Sequence, residues 1–404
     1  MKNIEACRDD FPAISRTLHG MPMAFLDGPG GTQPPKAVIN AVVDYLNNYN
    51  SNIFGNFVVS QESDAIIQKC REHLATFLGA ASWRCISLGL NMTTLNFSVA
   101  RALGNLMQPG DEVIITELDH EANRSPWLNL QKQGVIVKQI PLKQDGTLDM
   151  DAFERRLTDR TKLVAMGCSS NAIGTVNDVR RARIASKKVG AYLLLDAVHY
   201  APHFAIDVQD LDCDFLLCSA YKFYGPHIGA LYTRPGLLES LPVEKSNSQS
   251  DEAPYRIETG TQNHEGLNGT IAAIEYIASF GTGADLRSRI VDAMHKLEAY
   301  EYTLAKRAYD GLSNLPQVQL FGQSFESTDR APTISFIVKG KRSDEVAKHL
   351  GEEGIFVWDG DFAAHRAMEV LDTLAVGGVV RIGISMYNTA EEIDRLLSSI
   401  KKMA

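Results

Sequence analysis

Short apolar runs alternate along this chain with longer segments in which apolar residues recur at helical spacing. Four such runs, at residues 112–116, 163–167, 191–196 and 213–219, are followed by polar or small residues. Their length and continuity predict strands that are buried on both faces, and the helical segments between them predict βαβ connections. The pattern therefore predicts an α/β chain built on an open, mostly parallel sheet.

The segments in which apolar residues recur at helical spacing predict the helices. A second group of strands follows the longest of these helical segments. Predicted helices span residues 35–47, 62–78, 343–352 and a long region at 267–312, and the late strands span 333–338 and 379–385. The late group predicts a smaller α+β domain. We expect a large domain over residues 25–280 and a small domain formed by residues 1–24 and 281–404.

The composition of the chain mainly excludes classes of partner and ligand. The chain has 404 residues, of which 45% are hydrophobic and 22% charged, and its formal charge of -9 without a Lys/Arg block predicts no nucleic-acid partner. The charged N-terminus lacks a signal-peptide core, and no apolar run is long enough to cross a bilayer, which predicts a cytoplasmic protein without membrane contact. The six cysteines show no C-x-x-C or zinc-like spacing, so we expect reduced, structural thiols and no metal site.

Two of the apolar runs lead to residues that suit pyridoxal phosphate (PLP). Lys222 follows one run among aromatic and small residues, where partial desolvation favours the neutral amine that can form a Schiff base. Asp196 ends another run, at the edge where parallel sheets place ligand-binding groups, and its carboxylate would suit a protonated pyridine nitrogen. The alternatives are a lysine that merely extends to solvent and an aspartate that merely caps a helix.

A third candidate is the sequence Asn91-Met92-Thr93-Thr94, which opens a helical pattern after a predicted strand. Free backbone N–H groups and the helix dipole converge at such a position, so it is a natural phosphate site. A plain threonine N-cap is the alternative.

These residues also carry a family resemblance. The motif Leu-Leu-Asp-Ala-Val-His at 194–199, followed by Ser-Ala-Tyr-Lys-Phe-Tyr-Gly-Pro at 219–226, resembles the class V aminotransferase group of fold-type I PLP enzymes, and within it the cysteine desulfurase and selenocysteine lyase branch. Similar motifs recur from Leu26 to Asn388. The resemblance implies a mostly parallel seven-stranded sheet with a smaller C-terminal α+β domain. It also implies a PLP cofactor, an α-amino acid substrate and a homodimer with active sites at the subunit interface.

The resemblance implies a role for individual residues. Lys222 would form the Schiff base and remove the Cα proton, while Asp196 would hold the pyridinium. His120 would stack on the pyridoxal ring, and Asn171 and His199 would lie near its phenolate oxygen. Phosphate ligands would be Thr93, Thr94, Ser219 and, from the partner subunit, Thr261, and the substrate carboxylate would bind Arg381.

Three segments depart from the desulfurase pattern. The loop at 51–57 lacks the basic and imidazole groups of that branch, Tyr221 replaces a histidine before the lysine, and the loop at 358–366 lacks the nucleophilic cysteine. No cysteine follows Cys218, so a persulfide mechanism from the usual position is not expected. We therefore expect a desulfurase-like C–S or C–Se lyase without that cysteine. The alternatives are an aminotransferase or amino-acid epimerase, or a non-catalytic protein on the same fold.

One further segment stands apart from the predicted elements. The stretch at 244–254 is polar and rich in serine and acidic residues, which predicts a mobile loop or lid.

Overall fold

The computed structural model describes residues 2–326 and 330–403. Its helices, α1 to α11 in chain order, are Lys36–Asn48, Val58–Leu78, Met92–Gly104, Ser125–Leu128, Met150–Arg156, Val179–Lys188, His264–Ala278, Leu286–Ser313, Ser343–Glu352, His365–Val370 and Ala390–Lys402. The strands of its two larger sheets, β1 to β11, are Ile86–Gly89, Glu112–Thr116, Ile136–Ile140, Thr161–Gly167, Tyr192–Asp196, Phe215–Ser219, Gly229–Thr233, Val318–Phe321, Thr333–Val338, Trp358–Gly360 and Val379–Gly383.

The large sheet has seven strands in the spatial order β1-β7-β6-β5-β4-β2-β3. Strands β2 to β6 pair in parallel, and β7 runs antiparallel to both β6 and β1. Alternate residues of the central strands enter two hydrophobic clusters, one on each face of the sheet. In β5 and β6, Leu193, Leu195 and Leu216 belong to one cluster, and Leu194, Phe215 and Leu217 belong to the other. Burial on both faces explains why these strands read as continuous apolar runs.

The small sheet is antiparallel, in the order β8-β9-β11-β10. A third hydrophobic cluster joins it to α8, α9 and α11. The N-terminal segment contacts both regions: Arg8 forms a 2.6 Å ion pair with Glu392, and Phe11 packs against the rings of Tyr224, Tyr276 and Tyr387. The architecture is the predicted α/β arrangement with a smaller C-terminal part, while the proposed domain boundaries stay a prediction.

The long helical region predicted at 267–312 is two helices, α7 and α8. The chain turns between them at Gly281, where a Cβ atom would lie 1.9 Å from the carbonyl oxygen of Arg289, so only glycine permits this approach. Asp285 then caps α8 through a capping box with Ser288. Periodicity alone missed this break because both helices keep an apolar face.

The segment 244–254 contains neither helix nor strand and is bound to its surroundings by side chains. Lys245 pairs with Asp251 at 3.2 Å, and Gln249 donates to the carbonyl groups of Tyr255 and Arg256. Its mobility stays a prediction. None of the helices within 2–326 and 330–403 combines the length and apolar character needed to cross a membrane.

Candidate active site

A cavity of about 710 Å³ lies at the carboxyl ends of the parallel strands. Nearly all the predicted site residues line it, namely Thr93, Thr94, His120, Asn171, Asp196, His199, Ser219, Lys222 and Arg381. Thr261 is the exception, because it lines a neighbouring cavity of about 640 Å³ that Thr93 and Thr94 also border. Parallel strands gather residues distant in sequence at one edge of the sheet.

Lys222 lies in a short 3-10 turn directly after β6, and its side chain crosses to a glycine- and proline-rich loop at residues 28–35. Its ammonium group donates to the carbonyl oxygens of Pro29 and Gly30, the latter at 3.1 Å. Burial and then the charge of Arg381 lower the pKa of Lys222 to about 7, although Asp196 acts in the opposite direction. A large fraction of this amine is therefore neutral at physiological pH.

Asp196 is the last residue of β5 and is buried beneath the cavity. Its carboxylate accepts one hydrogen bond, from the backbone N–H of Val198 at 2.9 Å. Burial raises the pKa of Asp196 to about 7, opposed by that hydrogen bond. A turn rather than a helix follows the strand, so the alternative of a helix cap does not account for this carboxylate. A cationic ligand would favour its ionised form.

The start of α3 faces the same cavity. Asn91, not a threonine, is the N-cap, and its side chain accepts from the Thr94 N–H at 2.9 Å. The Met92 N–H donates to Ser219 Oγ at 2.9 Å, which ties β6 to the helix start. Thr93 lies in the first turn, where its backbone N–H has no intrahelical acceptor. The threonine-cap alternative is wrong, and the helix start keeps the Thr93 N–H as a donor for an anion.

The two histidines predicted for the site, His120 and His199, are neutral. Burial, followed by the charge of Lys222, lowers the pKa of His120 to about 4, and its Nδ1 accepts from the Ala122 N–H at 2.9 Å. His199 is more deeply buried, which lowers its pKa well below the usual value, and its Nε2 lies 2.9 Å from Thr333 Oγ1 on β9. Neither imidazole adds a positive charge beside Lys222.

Arg381 extends from β11 to the opposite side of the cavity. Its Nη1 donates to the carbonyl oxygen of Asn171 at 2.9 Å, and its guanidinium carbon lies 4.0 Å from the centroid of the Phe362 ring. Burial lowers the pKa of Arg381 to about 9, opposed by the charge of Asp27. Its Nε is buried and has no hydrogen-bond partner among the described residues. Because Arg381 lines the cavity, its guanidinium suits a carboxylate bound there.

Phe362 and Asp27 are residues of the site that the sequence did not predict. Phe362 belongs to the loop at 358–366, which was singled out only for its missing cysteine. Asp27 directly precedes the glycine- and proline-rich loop at residues 28–35 and is partly buried. Burial raises the pKa of Asp27, whereas Trp358, Arg381 and Lys222 lower it. No periodicity in the sequence pointed to this carboxylate.

None of the six cysteines lines this cavity, and all six are buried. Burial raises the pKa of Cys7, Cys70, Cys213 and Cys218 to about 12 and also raises those of Cys85 and Cys168. A thiol is a nucleophile only as the thiolate. These cysteines are therefore unreactive structural thiols, as the sequence analysis expected.

The residues present fit PLP. The cavity combines an amine of lowered pKa, a buried carboxylate that lacks a cationic partner among the described residues, and a helix N-terminus at which the Thr93 N–H has no intrahelical acceptor. These groups match an aldehyde, a pyridine nitrogen and a phosphate, respectively.

A mostly parallel sheet that brings these groups to one cavity identifies the protein as a PLP-dependent enzyme of fold type I. The chain belongs to the class-V aminotransferase family, whose model matches residues 24–396. It is 32% identical over 416 residues to a cysteine desulfurase of Pectobacterium carotovorum subsp. carotovorum, an alignment that covers 99% of this chain and 98% of the relative.

Solved structures agree with this assignment. The apo cysteine desulfurase of Thermococcus onnurineus NA1 has a TM-score of 0.89 at 28% identity, covering 100% of this chain and 98% of that one. A cysteine desulfurase of Escherichia coli has a TM-score of 0.84 at 28% identity, with the same coverage. The predicted fold type, enzyme class and resemblance to the desulfurase branch are confirmed. The roles of individual residues stay predictions.

Proposed function

We propose that this protein is a lyase that breaks the C–S or C–Se bond of a cysteine or selenocysteine derivative by β-elimination, without a persulfide-forming cysteine. The observation that carries the proposal is the content of the cavity, which includes Lys222 and Arg381 but no cysteine. The likeness to cysteine desulfurases supports the class of bond. The arginine supports an α-amino acid as substrate, because a guanidinium matches a carboxylate bidentately.

PLP, when bound, supplies an electron sink that makes the Cα proton of an attached amino acid acidic. Lys222 would anchor it, Asp196 would hold its pyridine nitrogen, and Thr93, Thr94 and Ser219 would hold its phosphate. His120 would lie against its ring, with Asn171 and His199 near its phenolate oxygen.

The chain's own residues then move the proton. Arg381 orients the substrate by its carboxylate, and Lys222, which is partly neutral because of its lowered pKa, accepts the proton from Cα. The Lys222 ammonium formed in this step donates a proton to the departing sulfur. Overall, R–S–CH₂–CH(NH₃⁺)–COO⁻ and water give RSH, pyruvate and ammonium. This balance consumes neither oxidant nor reductant, whereas alanine formation would need a sulfur acceptor.

The test is incubation of the PLP-loaded protein in heavy water with a panel of amino acids that includes cysteine, selenocysteine and S-substituted cysteines. Mass spectrometry would follow deuterium at Cα and all products. We expect pyruvate with released thiol, sulfide or selenide. Deuterated but otherwise intact amino acids from the whole panel would instead identify an epimerase or a stalled aminotransferase and would overturn the lyase proposal.

Attachment of an aldehyde to Lys222 should depend on pH with a midpoint near 7. Only the neutral amine reacts, so the rate should fall about tenfold between pH 8 and pH 6. Stopped-flow absorbance measures this rate. Pyridoxal is used as the aldehyde because it lacks the phosphate, whose ionisation would otherwise contribute to the pH profile. Since Asp196 raises the pKa of Lys222, Asp196→Asn should move the midpoint to lower pH. A midpoint near that of free lysine would contradict the buried environment.

The proposed assembly is a homodimer, and exposed apolar side chains support it. Phe54 and Val58 are 80% and 65% exposed, and Leu90, which is 62% exposed, borders the same cavity as Thr261. Phe54→Glu combined with Leu90→Glu should convert a dimer into a monomer in sedimentation velocity. PLP affinity should fall with it, since Thr261 is proposed to serve the partner's phosphate site. Ile184→Glu, on α6 and 62% exposed, is the matched control and should remain dimeric. A dimeric double variant would contradict the proposal that these side chains belong to the interface.

A further inference from the structure

We propose that Phe362 is a positioning residue for the substrate carboxylate. Its ring and its carbonyl group, together with Asn171, hold the Arg381 guanidinium in one orientation. This inference rests on the proposed function, in which Arg381 binds the carboxylate of an α-amino acid, and adds the residue that fixes the arginine.

The three residues contact one another in a closed triangle. Arg381 Nη1 donates to the carbonyl oxygen of Asn171 at 2.9 Å, and Asn171 Nδ2 donates to the carbonyl oxygen of Phe362 at 3.0 Å. The Phe362 ring closes the triangle, with its centroid 4.0 Å from the guanidinium carbon of Arg381. Each residue comes from a different part of the chain, so the triangle also joins the small sheet to the edge of the large one. Removal of the Phe362 ring would take away one of the contacts that orient the guanidinium.

The loop that carries Phe362 has an unusual backbone conformation. Phe362 and Ala363 have φ angles of 55° and 53°, in the left-handed region that residues with bulky side chains rarely adopt. Two hydrogen bonds hold the turn: Ala363 donates to the Asp361 carboxylate at 3.0 Å, and its carbonyl accepts from the Glu121 N–H at 2.6 Å. Such a conformation persists only where surrounding contacts enforce it, and here they direct the ring onto Arg381.

The triangle also decides which donors of Arg381 remain for a ligand. The aromatic ring covers one face of the guanidinium and attracts its charge without using any N–H group. Asn171 occupies Nη1, whereas the buried Nε has no partner within the part of the chain that the structure describes. Phe362 therefore holds the cation in a desolvated site without using any of its N–H groups, while Arg381 still lines the cavity.

The test compares two unreactive analogues of S-methylcysteine, neither of which carries an amine, by NMR titration of the PLP-loaded protein. One is 3-(methylthio)propionate, which keeps the carboxylate, and the other is 3-(methylthio)propan-1-ol, which replaces it by a neutral hydroxymethyl group. Phe362→Leu should weaken binding of the propionate about tenfold and that of the alcohol less than twofold, because only the carboxylate uses the charge of Arg381. In turnover, KM for S-methylcysteine should rise about tenfold with kcat within about threefold of wild type.

Phe362→Tyr keeps an aromatic face and should restore propionate binding to within about twofold. Phe204→Leu, which removes a phenyl ring from a different cavity, is the matched control and should change neither fragment. Equal weakening of both fragments, or no weakening of the propionate, would overturn the positioning role. Because the titration needs no turnover, a protein that releases no sulfur from any substrate refutes the proposed lyase without obscuring this result.

Discussion

Replacing Lys222 by alanine should lower kcat for the elimination by on the order of 10³-fold or more, the usual contribution of a positioned acid–base group combined with that of a covalent anchor. The Lys222 amine suits both the covalent attachment and the proton transfer, because its pKa is lowered to about 7 and a large fraction of it is neutral. The same variant should lose the visible absorbance band of protein-linked PLP. Steady-state kinetics and an absorbance spectrum of the purified protein measure both effects.

The control for this variant is Lys339→Ala. Lys339 is an exposed lysine whose ammonium donates to the carbonyl oxygen of Pro316, far from the cavity. Its replacement should leave the spectrum and kcat unchanged. If the Lys222 variant kept an unaltered visible spectrum, another amine would have to hold the cofactor and the assignment of Lys222 would be refuted.

The site residues at strand ends could be predicted from the sequence because apolar runs mark the strands and because parallel strands end at a common edge of the sheet. Asp196 and Lys222 follow continuous apolar runs, and parallel strands end at the same edge of a sheet. Residue types then indicated the chemistry. The same rule put His120 and Asn171 at the edge, since they follow β2 and β4.

The environment of Arg381 could not be predicted in the same way. Phe362 contacts it only because the loop after β10 adopts two left-handed residues, and no helix or strand period encodes that turn. Asn171 was assigned to the cofactor by resemblance, yet one of its amide N–H groups binds the Phe362 carbonyl. The amide has a second N–H group, so both contacts are compatible. Contacts between distant loops depend on tertiary packing, which a local pattern does not specify.

Replacing Asp196 by asparagine should have the second-largest effect, a loss of kcat of about 10²–10⁴-fold, which corresponds to the 3–5 kcal/mol typical of breaking a buried ion pair. Asparagine keeps the shape and an acceptor for the Val198 N–H but cannot carry the negative charge that a pyridinium needs. Steady-state kinetics would measure the loss. Asp310→Asn is the control, because that carboxylate lies on the exposed side of α8, paired with Lys306 at 2.6 Å, and does not line the cavity. It should lose much less activity.

The same substitution should stabilise the PLP-free protein although it lowers activity. This difference separates an electrostatic role of Asp196 from a structural one. Burial raises the pKa of Asp196 from 3.8 to about 7, so the folded protein binds more protons than the unfolded chain between these values and loses stability as pH rises. Asparagine has no such penalty. The PLP-free Asp196→Asn variant should therefore melt higher than the PLP-free wild type at pH 8, and the difference should vanish near pH 4. A lower melting temperature at pH 8 would show that the carboxylate is a structural element of the fold rather than a charge kept for a bound cation.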